Sequence, residues 1–516
     1  MKIDRTKNAS RNILFGIILK IYQLLVPFLM RTAMIYFMGV QYLGLNSLFT
    51  SVLQVLNLAE LGVGSAMIYS MYRPIAEDDK VTICALMKLY RTYYRIIGLI
   101  IAVIGSFLIP FIPNLIAGEV PPEINVYVLY ALNLSATVLS YWLFAYKNSI
   151  LQAHQRNDVI SKVTILTNSV QYLFQFLVLW LFRNYYLFVI VLLITQALTN
   201  IVTAIIADRL YPEFKPGGKV QKSDIKRINR RIKDLFTSKL GTVVYESVDT
   251  IVISAFLGLS ALAIYQNYFY ILTAVSGFIS VIFTACTAGI GNSIVVETKE
   301  KNFHDFEKFT FIISWIAGFC SVCMLCLFQP FMKLWVGEDL MLAFSLVCCF
   351  VVYFFLKQIN SLFNLYKDAS GIWHEDRFRP LAAAMTNLVL NLILVQFIGL
   401  YGILISTVSA ILFVGYPWLL HNLFTLIFDM KNLKNYLKKI VFYFLVIVLS
   451  GVVTYFLASF INFATVPTLL LRGVICLIVP NAIYFVCFRK TKEFKQSVIL
   501  ADNMTKGKIK FIKKLK

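Results

Sequence analysis

Again and again the chain runs for about twenty residues with almost no charge, and this repetition constrains the fold more than any other feature. A bilayer hydrocarbon core roughly 30 Å thick takes about 20 apolar residues per helix. Only helices and closed barrels satisfy their own backbone there. The runs are continuous rather than alternating, which selects helices. They fall at 12–37, 42–70, 90–112, 124–146, 160–182, 186–207, 235–257, 262–295, 309–330, 340–366, 380–397, 401–427, 440–460 and 466–488. Of the 516 residues, 59% are hydrophobic and 14% charged, against about 25% charged in an ordinary globular domain. Soluble enzymes, nucleic-acid binders and disordered chains are excluded together. The expected fold is an all-α polytopic membrane protein of about 14 transmembrane helices.

The seventh run carries Lys239, Glu246 and Asp249, and the charge distribution decides whether it counts. With fourteen spans, 41 of the 48 Lys and Arg residues lie in even-numbered loops, the adjoining helix ends and the two termini. Three, Arg183, Lys333 and Arg472, lie on the other side, and Lys20, Arg31, Lys239 and Lys357 lie within spans. Under the positive-inside rule both termini are then cytoplasmic. Removing the seventh span would turn the last basic loops and the tail outward. The net charge of +22 thus reflects orientation, with anionic membrane lipids as partners and no nucleic acid. The N-terminal stretch runs past Lys20 to Met38 without a small-residue cleavage site, so it is expected to stay as the first span.

Outer loops of three to eleven residues leave no room for an external catalytic domain, against a polysaccharide polymerase or ligase. No nucleotide loop or Ser/His/Asp set is present. Cys320, Cys323 and Cys326 lack His or carboxylate companions in their helix and read as packing residues, so no metal is expected.

An internal repeat is visible. Tyr146-Lys147 followed by His154 matches Tyr366-Lys367 followed by His374, at an offset of 220 residues. Met38-Gly39 matches Leu257-Gly258 at 219, and Glu60 to Ser65 matches Ala288 to Ser293 at about 227. The implied organisation is two pseudo-symmetric six-helix lobes plus two C-terminal helices. The expected boundaries are 1–207 (N-lobe), 208–234 (cytoplasmic amphipathic linker), 235–428 (C-lobe), 429–489 (spans 13 and 14) and 490–516 (basic cytoplasmic tail). The linker places Ile225, Ile228, Ile232 and Leu235 at helical spacing among basic residues, the pattern of an interfacial helix. The tail, KGKIKFIKKLK, reads as an anchor to anionic lipid.

A charge at a helix centre costs about 2.5–3.5 kcal/mol on insertion scales, so it faces a cavity or a partner. Seven such charges stand out: Lys20, Arg31, Glu60, Lys239, Glu246, Asp249 and Lys357. Polar stripes join them on span 2 (Asn57, Glu60, Gly64), span 5 (Asn168, Gln171, Gln175) and span 10 (Lys357, Asn360, Asn364). Two readings are open: a polar lumen, or ion pairs of Arg31 with Glu60 and of Lys239 with Asp249 or Glu246. Lys88, Arg91 and Arg95, interleaved with Tyr90, Tyr93 and Tyr94, form a stripe suited to interfacial anchoring or to docking an anionic headgroup. His154 and His374 suit a structural role better than a proton relay.

Several blocks resemble a known family: Arg31-Thr32, the runs Gly39 to Phe49 and Leu58 to Ala66, Tyr72 with Pro74, Ser238-Lys239, Asp249 to Ser254, Gly289 to Asn292, and Asp376-Arg377 with Pro380. From about residue 10 to 425 the chain is similar to Wzx-type oligosaccharide flippases. These form the polysaccharide transporter family of the multidrug/oligosaccharidyl-lipid/polysaccharide exporter superfamily. The resemblance implies a V-shaped bundle that moves undecaprenyl-diphosphate-linked oligosaccharide units between leaflets, with polysaccharide polymerase and assembly proteins as partners. It implies that Arg31 and Lys239 face the substrate, and Lys20 and Lys357, as charges within spans, are candidates for the same lumen. Glu60, Asp249 and Glu246 would then be charge partners or sites for a coupling proton or sodium ion, with no other cofactor. The same architecture serves cation-coupled multidrug antiporters, whose cavity should be acid-dominated, and lipid II-type flippases.

Overall fold

The computed structural model describes residues 5–461, 463 and 465–504. The apolar runs form helices, as their unsatisfied backbone requires, with breaks at 61–62 in the second run and 143–144 in the fourth. In order the α-helices are α1 (Arg5–Phe37), α2 (Val40–Leu56), α3 (Val63–Ala76), α4 (Lys80–Leu108), α5 (Val126–Trp142), α6 (Asn148–Ala153), α7 (Asn157–Leu181), α8 (Tyr185–Leu210) and α9 (Lys222–Val296). There follow α10 (Lys299–Val336), α11 (Phe344–Ala369), α12 (Arg379–Ile398), α13 (Leu400–Ala410), α14 (Tyr416–Leu426), α15 (Leu433–Ser459), α16 (Thr465–Phe488) and α17 (Lys492–Met504).

Twelve stretches of the described residues are long and apolar enough to cross a membrane, and α5 with the segment Ala145–Ala153, bent by 47°, makes a thirteenth. One of the twelve, Lys239–Val296, is 58 residues long. At 1.5 Å per residue that is about 87 Å, far more than one crossing. Gly258, at φ 86° and ψ 175°, interrupts it, and division there restores the fourteen spans of the sequence. The outer loop expected at 258–261 is shorter than foreseen. A single glycine makes the break, and its missing Cβ would lie 2.8 Å from the Ala117 carbonyl oxygen. Gly39, its repeat counterpart, precedes α2 with a similar backbone, φ 108° and ψ 167°.

The chain divides into two compact units, 1–263 and 264–516. In the first, α1 packs along α7, α7 along α8, and α4 and α5 against each other. Gly44 of α2 approaches so closely that a Cβ would sit 2.3 Å from the Leu259 carbonyl oxygen. In the second, α10 is the central helix, covered by α11, α15 and α16. The last two spans are therefore fixed to this unit. Cys326 and Cys476 are buried with Val322 and Ala458 beside Cys323, an apolar cluster of packing cysteines. Lys439 of α15 donates to Glu307 of α10 at 2.7 Å and to Glu493 of α17 at 2.5 Å.

Each unit contains a buried aspartate clamped by bases at the corresponding turn. Asp158, fully buried, is held by Arg156 at 2.9 Å, Arg11 at 3.0 Å and Lys162 at 3.5 Å. Asp376 is held by Arg379 at 2.6 Å and Lys367 at 3.4 Å. Lys147 of the repeated Tyr-Lys pair bonds Asp208, and Lys367 also pairs with Asp368. The repeated histidines part company. His374 is exposed, within 3.2 Å of Arg377, whereas His154 is buried, its Nδ1 2.8 Å from the Ile150 carbonyl. His154 also packs against the rings of Tyr211 and Phe214.

Burial holds the His154 ring below its ordinary 6.5. The fold therefore favours the neutral ring, while the unfolded chain takes up a proton as pH falls through 6.5. Stability is full above that value and is lost below it, by at most about 1.4 kcal/mol per pH unit for one proton. Thermal denaturation of the purified protein should show this decline between about pH 7 and pH 5.5, and His154→Phe should flatten it. The linker helix foreseen at 208–234 begins at Lys222 and runs without interruption into span 7. The basic tail sequence 506–516 lies outside the described residues.

Candidate functional site

Span 2 is not one helix. After α2 the chain tightens into a 3₁₀ turn at Asn57–Glu60, and Gly62 then takes the left-handed conformation, φ 87° and ψ −19°. Glycine is required there twice over. The conformation strains other residues, and a Cβ would lie 2.6 Å from the Leu235 side chain of α9. The break sets Asn57 and Glu60 opposite α4 and α5. Tyr94 of α4 donates to Glu60 Oε1 at 2.6 Å, and Tyr90, one turn earlier, donates to the Tyr94 hydroxyl at 2.6 Å. Tyr141, near the end of α5, donates toward Glu60 Oε2 at 2.9 Å, with Asn57 Oδ1 as a second acceptor at 3.2 Å.

The three tyrosines are buried and their rings are in contact, Tyr90 with Tyr94 at 4.4 Å and Tyr94 with Tyr141 at 5.4 Å. Gly64 leaves room for the Tyr90 hydroxyl, which would otherwise stand 3.1 Å from a Cβ. Every member of this network has a partner, as buried polar groups require. Glu60 itself is half-buried. No basic side chain among the described residues lies within ion-pair distance of it, so the pairing with Arg31 is not formed.

The remaining expected site residues are distributed differently. Lys20, Lys239 and Glu246 are exposed; Arg31 and Asp249 are half-buried, and both are engaged within the fold. Among the described residues Lys239 closes no ion pair with Asp249 or Glu246. Lys357, in the second unit, has no carboxylate either. Its ammonium lies over the rings of Phe269 at 5.6 Å and Tyr353 at 5.7 Å. Asn364, further along its stripe, accepts a bond from Arg379 at 2.8 Å.

Two members of the span 5 stripe, Gln171 and Gln175, serve helix packing. Gln175 donates to the Phe188 carbonyl at 3.2 Å, and Thr195 donates to Gln171 at 3.1 Å, tying α7 to α8. The basic stripe of α4 also splits. Lys88 and Arg95 are exposed and Arg91 lies 6.0 Å from the Tyr146 ring centre, while Tyr90 and Tyr94 turn inward to Glu60. Tyr93 bonds Asn229 of the α9 extension at 2.6 Å, and Arg231 stacks over Tyr69 at 4.4 Å. The sequence missed the tyrosines around Glu60. The one available signal was Tyr90 and Tyr94 at i, i+4, the spacing that puts both on one helix face.

The fold is shared with solved transporters. The lipid II flippase MurJ in an inward closed conformation superposes with a TM-score of 0.64 at 16% identity, covering 92% of this chain and 99% of that one. A multidrug resistance MATE family transporter of the MOP superfamily, inward-facing, gives 0.59 at 16% identity over 81% of this chain and 96% of its own. The Vibrio cholerae MATE transporter VcmN gives 0.53 at 13%, over 80% and 95%. No curated protein matches by sequence. The architecture defines a multi-pass, all-helical membrane protein with the fold of these transporters. Residues 9–288, more than half the chain, match the family described as polysaccharide biosynthesis protein, and the chain belongs to that family.

Proposed function

We propose that the protein flips undecaprenyl-diphosphate-linked oligosaccharide repeat units from the inner to the outer leaflet of the bacterial cytoplasmic membrane by alternating access. The units would supply a surface polysaccharide, whether capsule, O-antigen or exopolysaccharide. Family membership over residues 9–288 carries this reading. Two cations with no carboxylate partner among the described residues, Lys239 and Lys357, support it, because a diphosphate is held by charge-assisted hydrogen bonds of about twice the usual strength. In this proposal both termini are cytoplasmic, and anionic lipids, the polymerase and assembly proteins are the partners. A proton or sodium gradient drives the cycle.

A deletion strain tests the reading. Undecaprenyl-linked repeat units should accumulate on the cytoplasmic leaflet, with surface glycan lost and restored by the gene in trans. Unchanged glycan display with a changed drug-resistance profile would replace the flippase with a multidrug antiporter.

A further inference from the structure

We infer that Glu60, Tyr141 and Asn57 form a proton-binding site that takes up a single proton on Glu60 Oε2, with Tyr94 and Tyr90 as positioning residues. The inference rests on the proposed transport function only for its purpose, by naming the coupling ion; the site itself follows from the hydrogen-bond directions at the break in span 2.

The two carboxylate oxygens of Glu60 are bound differently. Oε1 stands at the end of a one-way chain. Tyr90 gives its hydroxyl proton to the Tyr94 oxygen, and Tyr94 gives its own to Oε1, both at 2.6 Å. Nothing in that chain can reverse without breaking a bond. At Oε2 the donor has a choice, because the Tyr141 oxygen lies 2.9 Å from Oε2 and 3.2 Å from Asn57 Oδ1. One hydroxyl carries one hydrogen, so it serves one acceptor at a time.

When the carboxylate is ionised, the Tyr141 hydrogen points to Oε2. When a hydronium ion delivers its proton to Oε2, its O–H bond breaks and leaves water, a new O–H bond forms at Oε2 and the charge of the carboxyl group goes from −1 to zero. The Tyr141 hydrogen rotates to Asn57 Oδ1, and the vacated lone pair accepts from Oε2–H. No heavy atom moves and no hydrogen bond is lost. The half-exposure of Glu60 gives the proton a route, and the buried phenols fix its destination.

The surroundings favour a proton over a metal cation. A hard cation needs several oxygen lone pairs converging on it, whereas the Tyr94 and Tyr141 hydrogens converge on the carboxylate. The groups facing Glu60 are Tyr90 and Tyr94 from α4, Tyr141 from α5 and Asn57 from its own turn. At the neighbouring Gly62 the α9 extension contributes apolar Ile232 and Leu235. Among the described residues no base stands within ion-pair distance to fix the carboxylate in its ionised form.

The test uses the full-length protein in lipid nanodiscs, with infrared difference spectra recorded across a pH titration. A protonated-carboxyl C=O band should appear on acidification and vanish in Glu60→Gln. Tyr94→Phe withdraws a donor that binds the ionised carboxylate more strongly than the neutral acid, and should raise the midpoint by about one pH unit. Asn57→Ala withdraws the acceptor that the protonated form needs and should lower it by about one unit, the shift expected for one hydrogen bond to a charged group. Tyr90→Phe, which touches neither Glu60 nor the backbone, should raise the midpoint less than Tyr94→Phe does. Sodium chloride in place of potassium chloride should leave all midpoints unchanged. Shifts in the same direction for Tyr94→Phe and Asn57→Ala, a band that survives Glu60→Gln, or a sodium-dependent midpoint would each overturn the inference. The band is read on the resting protein, so a failed flippase reading would leave this result standing, and the reverse.

Discussion

Lys239→Ala should abolish surface glycan while the protein accumulates in the membrane at its normal level. The side chain is exposed and closes no ion pair among the described residues, so nothing in the fold depends on its charge. Toward a diphosphate the same charge would supply a hydrogen bond worth about 1.5–3 kcal/mol, or roughly 10- to 100-fold in transport. Lys239→Arg should retain most of the activity. Lys357→Ala should act in the same direction, since its ammonium rests on Phe269 and Tyr353 rather than on a carboxylate. Arg31 is the less clean variant because it is engaged within the fold. Glycan display and immunoblotting of membranes separate the outcomes. Loss of the protein itself in Lys239→Ala would return that lysine to a structural role.

The span pattern and the repeat were legible because each is written locally. Twenty apolar residues declare a helix without reference to any other segment. A glycine that must adopt positive φ marks a break wherever it stands, which is why Gly39 and Gly258 were found together. The polar stripes were less legible. Spacing puts Gln171 and Gln175 on one face of α7, but it cannot say whether that face meets a lumen or α8. Glu60 raised the same difficulty. Its partners come from helices 34 and 81 residues away, and no periodicity links them. Tyr90 and Tyr94 lie among Lys88, Arg91 and Arg95, so the whole stripe read as an interface, although Tyr90 and Tyr94 are buried while Lys88 and Arg95 are exposed.

The break in span 2 joins these observations. A half-buried carboxylate with no cation beside it among the described residues would be a poor structural device, because burying a charge needs compensation. Here two phenols donate to the carboxylate, a third backs one of them and an amide oxygen offers an alternative acceptor, an arrangement that can exchange hydrogen bonds as an ion pair cannot. Gly62 and the 3₁₀ turn place that exchange where the helix is already interrupted. The clamps at Asp158 and Asp376 lack such freedom, since every acceptor there faces a fixed positive charge.

Asp376→Ala should therefore be among the most damaging single changes to the second unit. The carboxylate receives both the Nε of Arg379 at 2.6 Å and its terminal nitrogen at 2.9 Å, and the guanidinium reaches Asn364 with a further bond at 2.8 Å. Both side chains are more than nine-tenths buried. Breaking such a pair typically costs about 3–5 kcal/mol, because the remaining charge is stranded. Arg379→Ala should cost less, as Lys367 still stands 3.4 Å from Asp376. Arg379→Lys should recover little, lacking the planar fork that serves two oxygens at once. The double change Asp376→Ala with Arg379→Ala should be more stable than Asp376→Ala alone, since neither charge is then stranded. Thermal denaturation of the four variants in one detergent gives the order directly. A double variant no better than Asp376→Ala would mean that the clamp acts through its shape rather than its charge. At Asp158 the same substitution should be milder, because Arg156, Arg11 and Lys162 are 20%, 36% and 44% exposed and water can take over their solvation.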